Sequence, residues 1–179
     1  MAQHKPPRRL AKKRIKPRVR EHGAAGKNEP AAWTLDQIQE GQTYRFETVL
    51  SEADIDSFAA LTGDENPLHM IKEFARKRGF DNRVIHGAFL VGLVSRLVGM
   101  HLPGRDCILL ELRAKFRAPA YVGDRLLIEG AVMQRSVAGN AIVVKIDVSV
   151  PAAERLVATV NAVVGFTAEG IQNLSGGPK

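Results

Sequence analysis

Two short segments hold the residue types that acid–base chemistry needs. In Thr62-Gly63-Asp64-Glu65-Asn66-Pro67-Leu68-His69, a carboxylate and an imidazole stand five residues apart. Asn66-Pro67 is turn chemistry, and the proline forbids a helix between Asp64 and His69. A chain that turns there can bring both side chains to one point, where they share a water. Adding or removing water needs such a pair: one group takes a proton from water while the other supplies one to carbon. Gly-Asp-Glu-Asn-Pro is also ordinary turn chemistry after a helix, and on this segment alone both roles stand.

The second segment is Ile85-His86-Gly87-Ala88, at the start of an apolar run. A helix opening there would present unsatisfied N–H groups and a partial positive charge. Gly87 has no side chain, so a carbonyl oxygen could approach its amide closely, as the stabilisation of a thioester enolate requires. Tight helix packing is the other reason for a glycine at this place. His86 has apolar neighbours and reads as structural, with a substrate-binding role beside Gly87 as the other option. Ser95 follows Gly87 by eight residues, a little over two helical turns, and falls near the same face.

These segments need a frame. Tyr44, Phe46 and Thr48 alternate with charged residues, which predicts a strand over 43–50. Ser51 and Asp54 form a capping box that opens a helix, with Ile55, Phe58, Ala59 and Leu61 as its apolar face and Gly63 as its end. A loop over 64–69 leads to a short basic helix over 71–78. The run 84–100 is apolar almost all round, so as a helix it must be enclosed by protein. Four runs rich in Val, Ile and Leu follow, over 107–116, 125–135, 141–150 and 156–166. Turns at Val122-Gly123-Asp124 and Ala138-Gly139-Asn140 join them. Strands linked by short turns imply an antiparallel sheet, and one buried helix implies that the sheet wraps it: an α+β domain.

Composition sets the outer bounds. The chain has 179 residues and one cysteine, Cys107, which excludes a disulfide framework and reads as a small core residue suited to a reducing cytoplasm. No run of apolar residues is long enough to span a membrane. The net charge of +7 belongs to one end: residues 1–30 hold ten Lys/Arg against Glu21 and Glu29, a net of +8, which leaves −1 for the rest. Residues 1–32 have no apolar periodicity and read as a disordered basic tail, with the domain over 33–179. The tail is either an electrostatic arm for a polyanion or a solubilising extension, and no aromatic residue among its charges offers stacking to bases.

Taken together, Phe58 to Asp64, the complete Asp64-x-Asn66-Pro67-x-His69 pattern, His86-Gly87 and Ser95 resemble the MaoC-like hydratases, whose best-known members are the (R)-specific enoyl-CoA hydratases. The resemblance covers about residues 41–166, including Leu102-Pro103-Gly104 and Phe116 to Asp124. It implies a hot-dog fold, a long central helix wrapped by an antiparallel sheet, usually a homodimer through strand pairing. It implies reversible hydration of a trans-2-enoyl-CoA to the (R)-3-hydroxyacyl-CoA, with coenzyme A as part of the substrate and no cofactor. Asp64 and His69 would then activate and deliver the water, Asn66 would hold them, and the Gly87 amide would bind the thioester oxygen.

Two departures stand out. Ile71 replaces an aspartate common two residues after the histidine, which removes a helix cap. Ala88-Phe89 follows His86-Gly87, and Phe89 would shorten an acyl pocket. The coenzyme's phosphates need cations, for which Arg76, Lys77, Arg78 and Arg83 form one cluster and Arg113, Lys115 and Arg117 another along a strand; either set also reads as a solvated face. No metal site is expected, because His69, His86 and His101 lack ligand spacing. A 3-hydroxyacyl-ACP dehydratase would use the same groups. From another class, a non-catalytic hot-dog dimer would be tethered to a polyanion by the basic arm.

Overall fold

The computed structural model describes residues 29–167. The expected basic tail lies outside the described residues except for its last four. In chain order the elements are β1 (Thr43–Val49), α1 (Glu52–Thr62), α2 (Pro67–Met70), α3 (Lys72–Lys77), α4 (Gly87–Met100), β2 (Cys107–Phe116), β3 (Arg125–Ser136), β4 (Ala141–Val150) and β5 (Arg155–Phe166). A 3-10 turn, Leu35–Gln37, precedes β1 and another, Pro151–Ala153, joins β4 to β5.

The strands form one antiparallel sheet in the order β1-β3-β4-β5-β2. β3, β4 and β5 are joined by tight connections, as the turn chemistry predicts, and Asn140 takes the positive φ of the first hairpin. The turn at Val122-Gly123-Asp124 is not a hairpin, however. β2 pairs with β5 on the far edge, so residues 117–124 carry the chain across to β3. A local turn signal cannot report which strand is the partner. That crossing segment matters for the site, because Tyr121 bridges Val84 and Ala120 accepts a bond from the Ile85 amide.

Alternating residues of β3, β4 and β5, among them Ile128, Val132, Val144, Ile146, Val160 and Val164, face α4 and are buried. From α4, Leu90, Leu93, Val94, Leu97 and Val98 fill that seam. Each such side chain withdrawn from water contributes about 1.5–3 kcal/mol, which fixes the helix on the sheet. This is the hot-dog arrangement. The helix is not enclosed all round within one chain: Ala88, Gly92, Ser95 and Arg96 lie on an exposed face. α4 is also shorter than the apolar run, since Val84 bridges Tyr121 and the Ile85 amide bonds Ala120 O instead of entering the helix.

α1 starts as its sequence predicts. Ser51 caps Asp54, and Asp54 accepts from both the amide and the hydroxyl of Ser51, which holds its carboxyl below the usual range. Ile55 and Ala59 are buried, but Leu61 points to solvent. Gly63, at φ +76°, ends the helix in the left-handed region that glycine adopts freely. Ala31 and Ala32, assigned to the tail by composition, are paired. The Ala31 amide bonds Met100 O, its carbonyl receives the Arg105 amide, and Ala32 bridges Gly104. Two alanines carry no periodicity, so a pattern search passes over them.

Candidate active site

Asp64 follows the Gly63 cap and sits on an exposed turn. Its Oδ1 accepts the Asn66 amide, a local turn bond that orients the carboxylate. Asn66 Oδ1 in turn accepts the Leu68 amide and caps α2. The proline does not forbid a helix here. Pro67 occupies the first helical position, where a missing N–H costs nothing, so His69 rides on a single helical turn rather than a loop. α3 follows with Ile71 as its N-cap and no side-chain cap bond, where an aspartate could supply one.

Two bonds to carbonyl oxygens fix the state of both histidines, since a carbonyl only accepts. His69 Nδ1 lies 2.7 Å from Val84 O and therefore carries the hydrogen, which leaves Nε2 free. His86 Nε2 lies 2.9 Å from Asp64 O and donates to it. The two rings stack with centroids 3.8 Å apart. His86 is 1% exposed, its Nδ1 has no partner among the described residues, and it holds the Asp64 backbone from behind His69. Phe58 packs on the His86 ring and Phe89 stacks on Phe58, which extends a column of four rings away from His69.

Gly87 opens α4 with His86 as its N-cap, and its amide precedes the helical ladder. A Cβ on Gly87 would lie 3.0 Å from Cζ of Phe116, so the ring closes over the glycine. Phe116 is 55% exposed, and sequence reading gave it no role. Its only signal was position: the last residue of β2, in a segment shared with the resembled family. Both reasons for glycine therefore apply here, a free amide and a close neighbour. Ser95 lies on the exposed face of α4, and its hydroxyl makes no hydrogen bond to another described residue. It is not brought to Asp64 or His69 within the chain.

The cation candidates separate. Arg83 is withdrawn from any phosphate: it is 6% exposed, its Nε donates to His69 O at 2.5 Å, and its Nη2 pairs with Asp56. Its burial was invisible because Asp56 and Glu52 lie on α1, far along the chain. Arg76 and Lys77 are exposed at the end of α3, and Arg78 lies over the Phe74 ring. Arg113 is exposed and bonds Glu111. Lys115 and Arg117 are exposed and flank Phe116, beside Gly87.

Asp64, His69 and His86 also place one ligand atom each within 4.8 Å of one another, so the fold assembles a possible cation cluster that sequence spacing does not suggest. His69 Nδ1 and His86 Nε2 are committed to carbonyls, which leaves His69 Nε2, the buried His86 Nδ1 and the carboxylate as the remaining donor atoms. At the opposite end of α4, His101 stacks on Tyr44 at 4.2 Å, and Arg96 lies over Phe46. Burial first, and the Arg96 charge second, push its pKa below the usual histidine value. Cys107 is partly buried as expected, with its thiol near Val98 O, and burial raises its pKa.

Residues 35–153 match the family model described as MaoC like domain. Over 90 residues the chain is 37% identical to the (R)-specific enoyl-CoA hydratase of Rhodospirillum rubrum, covering 50% of this chain and 62% of that protein. It is 38% identical over 90 residues to the mitochondrial 3-hydroxyacyl-[acyl-carrier-protein] dehydratase of Arabidopsis thaliana, covering 50% of this chain and 53% of that protein. The chain thus spans between half and two thirds of the length of these relatives. Among solved structures, an (R)-hydratase from Aeromonas caviae superposes with a TM-score of 0.69 at 31% identity, over 72% of this chain and 97% of that one.

Proposed function

The chain belongs to the MaoC-like domain family, and from that membership we propose that it hydrates a trans-2-enoyl-CoA reversibly to the (R)-3-hydroxyacyl-CoA. One observation carries the reading: the Asp64 carboxylate and the His69 imidazole converge at the start of α4, where the Gly87 amide is outside the helical ladder. The names of the R. rubrum and A. caviae relatives support it.

In the forward direction Asp64 takes a proton from water as its oxygen bonds C3 of the enoyl chain. Charge moves to the thioester oxygen, which the Gly87 N–H stabilises. Asp64 passes that proton to the free His69 Nε2, which delivers it to C2, so both groups end as they began. Lys115 and Arg117, exposed at the end of β2, are candidates for the coenzyme's phosphates. No metal or cofactor enters this scheme. A homodimer is part of the proposal, supported by exposed Ile108, Leu110 and Phe116 on the edge strand β2. Among the described residues no helix is long and apolar enough to cross a membrane. A cytoplasmic setting suits the single cysteine.

The likeness to the A. thaliana enzyme favours a second reading, dehydration of a 3-hydroxyacyl-ACP. The deciding experiment follows the ultraviolet absorbance of crotonyl-CoA with the protein and with Asp64→Asn. Loss with the wild type alone, giving (R)-3-hydroxybutyryl-CoA on chiral analysis, upholds the hydratase. No loss with short or long enoyl-CoA, but turnover of the same acyl group on a carrier protein, moves the assignment to the second reading. No turnover of either substrate removes both.

A further inference from the structure

We propose that Arg83 is a positioning residue for the acid–base pair, holding the helical turn that carries His69. This rests on the reading of Asp64 and His69 as the reacting groups. α2 has only four residues, so its last carbonyls find no partner within the helix. Two consecutive residues from another part of the chain supply them. The Val84 amide bonds Leu68 O at 3.1 Å, and Arg83 Nε bonds His69 O at 2.5 Å. Val84 O then accepts His69 Nδ1, which completes a three-point clamp on one turn.

The guanidinium is itself aimed from a third element. Its Nη2 pairs with Asp56 Oδ1 and its Nη1 lies 4.0 Å from Glu52 Oε2, both on α1. One rigid planar fork therefore ties α1 to the backbone of His69. Lysine, a single point charge, cannot make the Nε and Nη contacts together. A buried arginine used in this way also has no face left for a phosphate.

The test uses the full chain with Arg83→Lys. On crotonyl-CoA we expect kcat to fall about 10- to 100-fold, the cost of a small misplacement of a reacting group, with KM changed by less than about threefold. The same loss is expected on the crotonyl thioester of N-acetylcysteamine, which has no phosphates. By 15N NMR at mildly alkaline pH, His69 is expected as one Nδ1–H tautomer in the wild type and as a mixture in the variant. A KM about tenfold higher with kcat retained, on the CoA thioester only, would make Arg83 a phosphate ligand and overturn the proposal. Unchanged kcat with an unchanged tautomer would do the same. If Arg83→Lys does not fold, Asp56→Asn, which releases the fork, is read by both measurements. It is expected to move them in the same direction, and no movement refutes the role. If the wild type turns over no enoyl thioester, the proposed reaction fails, while the tautomer in Arg83→Lys still decides the position of His69.

Discussion

The imidazoles of His69 and His86 are stacked 3.8 Å apart, and each ring donates its N–H into the other's segment. His69 bonds the carbonyl of Val84, two residues before His86, while His86 bonds the carbonyl of Asp64, five residues before His69. The two bonds cross-latch the α2 turn to the entrance of α4. The latch places the free Nε2 of His69 and the Asp64 carboxylate on one side, with His86 behind them.

Asp64→Asn removes the proton acceptor but keeps the size and the Oδ1 bond to the Asn66 amide. Turnover is expected to drop at least about a hundredfold with an unchanged melting temperature. Near-wild-type turnover in steady-state assays would exclude Asp64 from the mechanism.

His86 acts through shape and one bond. Glutamine can still donate to Asp64 O from a similar position, whereas alanine leaves a hole behind His69. We expect His86→Gln to retain several times the activity of His86→Ala, and His86→Ala to lose about 2 kcal/mol or more of stability. Equal activity in the two variants, with both folded, would mean that the bond to Asp64 does not matter.

Gly87→Ala tests the two reasons for that glycine. The new methyl meets the Phe116 ring at 3.0 Å, so both stability and turnover should fall. Adding Phe116→Ala relieves the contact and should restore the melting temperature without restoring turnover, since the methyl still crowds the amide. Full recovery of turnover in the double variant would assign Gly87 to packing alone.

His101 predicts a pH effect of definite sign. Its pKa lies below 6.5 in the folded chain, because burial and Arg96 disfavour the charged ring among Tyr44 and Phe46. The unfolded chain binds the proton first as pH falls. His101 thus costs nothing well above pH 6.5, destabilises progressively below it, and its effect levels off beneath the folded pKa. His101→Phe keeps a ring against Tyr44 and removes the titration. Its urea midpoint should gain on the wild type as pH drops below neutrality, and a constant difference would contradict this.

Residues 31–32 can be separated from the chain before them. Deleting residues 1–28 should leave turnover and melting unchanged, while any salt-sensitive binding to heparin disappears. Deleting residues 1–32 also removes the bonds to Met100 and Arg105, and should lower the melting temperature by about 4–8 °C. Gly104→Ala should do likewise, since a Cβ there would lie 1.9 Å from Ala31 O. Identical melting of the two truncations would show that the pairing carries no stability.

The convergence of the candidate groups was legible where it is local. Asp64, Asn66 and His69 lie within six residues, and turn and cap rules bring them together without help from the rest of the fold. The α1 cap, the β3–β4–β5 meander and the buried seam of α4 were legible for the same reason, being patterns of short period. What depends on distant partners was not. Arg83 looks like any surface cation until Asp56 and the His69 carbonyl are seen beside it. Phe116 gains meaning only when β2 lands against Gly87. The 122–124 turn looks like a hairpin because strand pairing is decided by the whole sheet, and Pro67 hides a helix because a single turn has no period to detect.

The pairing of Ala31 with Met100 sets residue 31 at the C-terminal end of α4, which its 14 residues separate from the Gly87 amide by about 20 Å. A linker or affinity tag joined directly at residue 29, in place of the residues before it, is therefore anchored at the other end of the helix from Gly87.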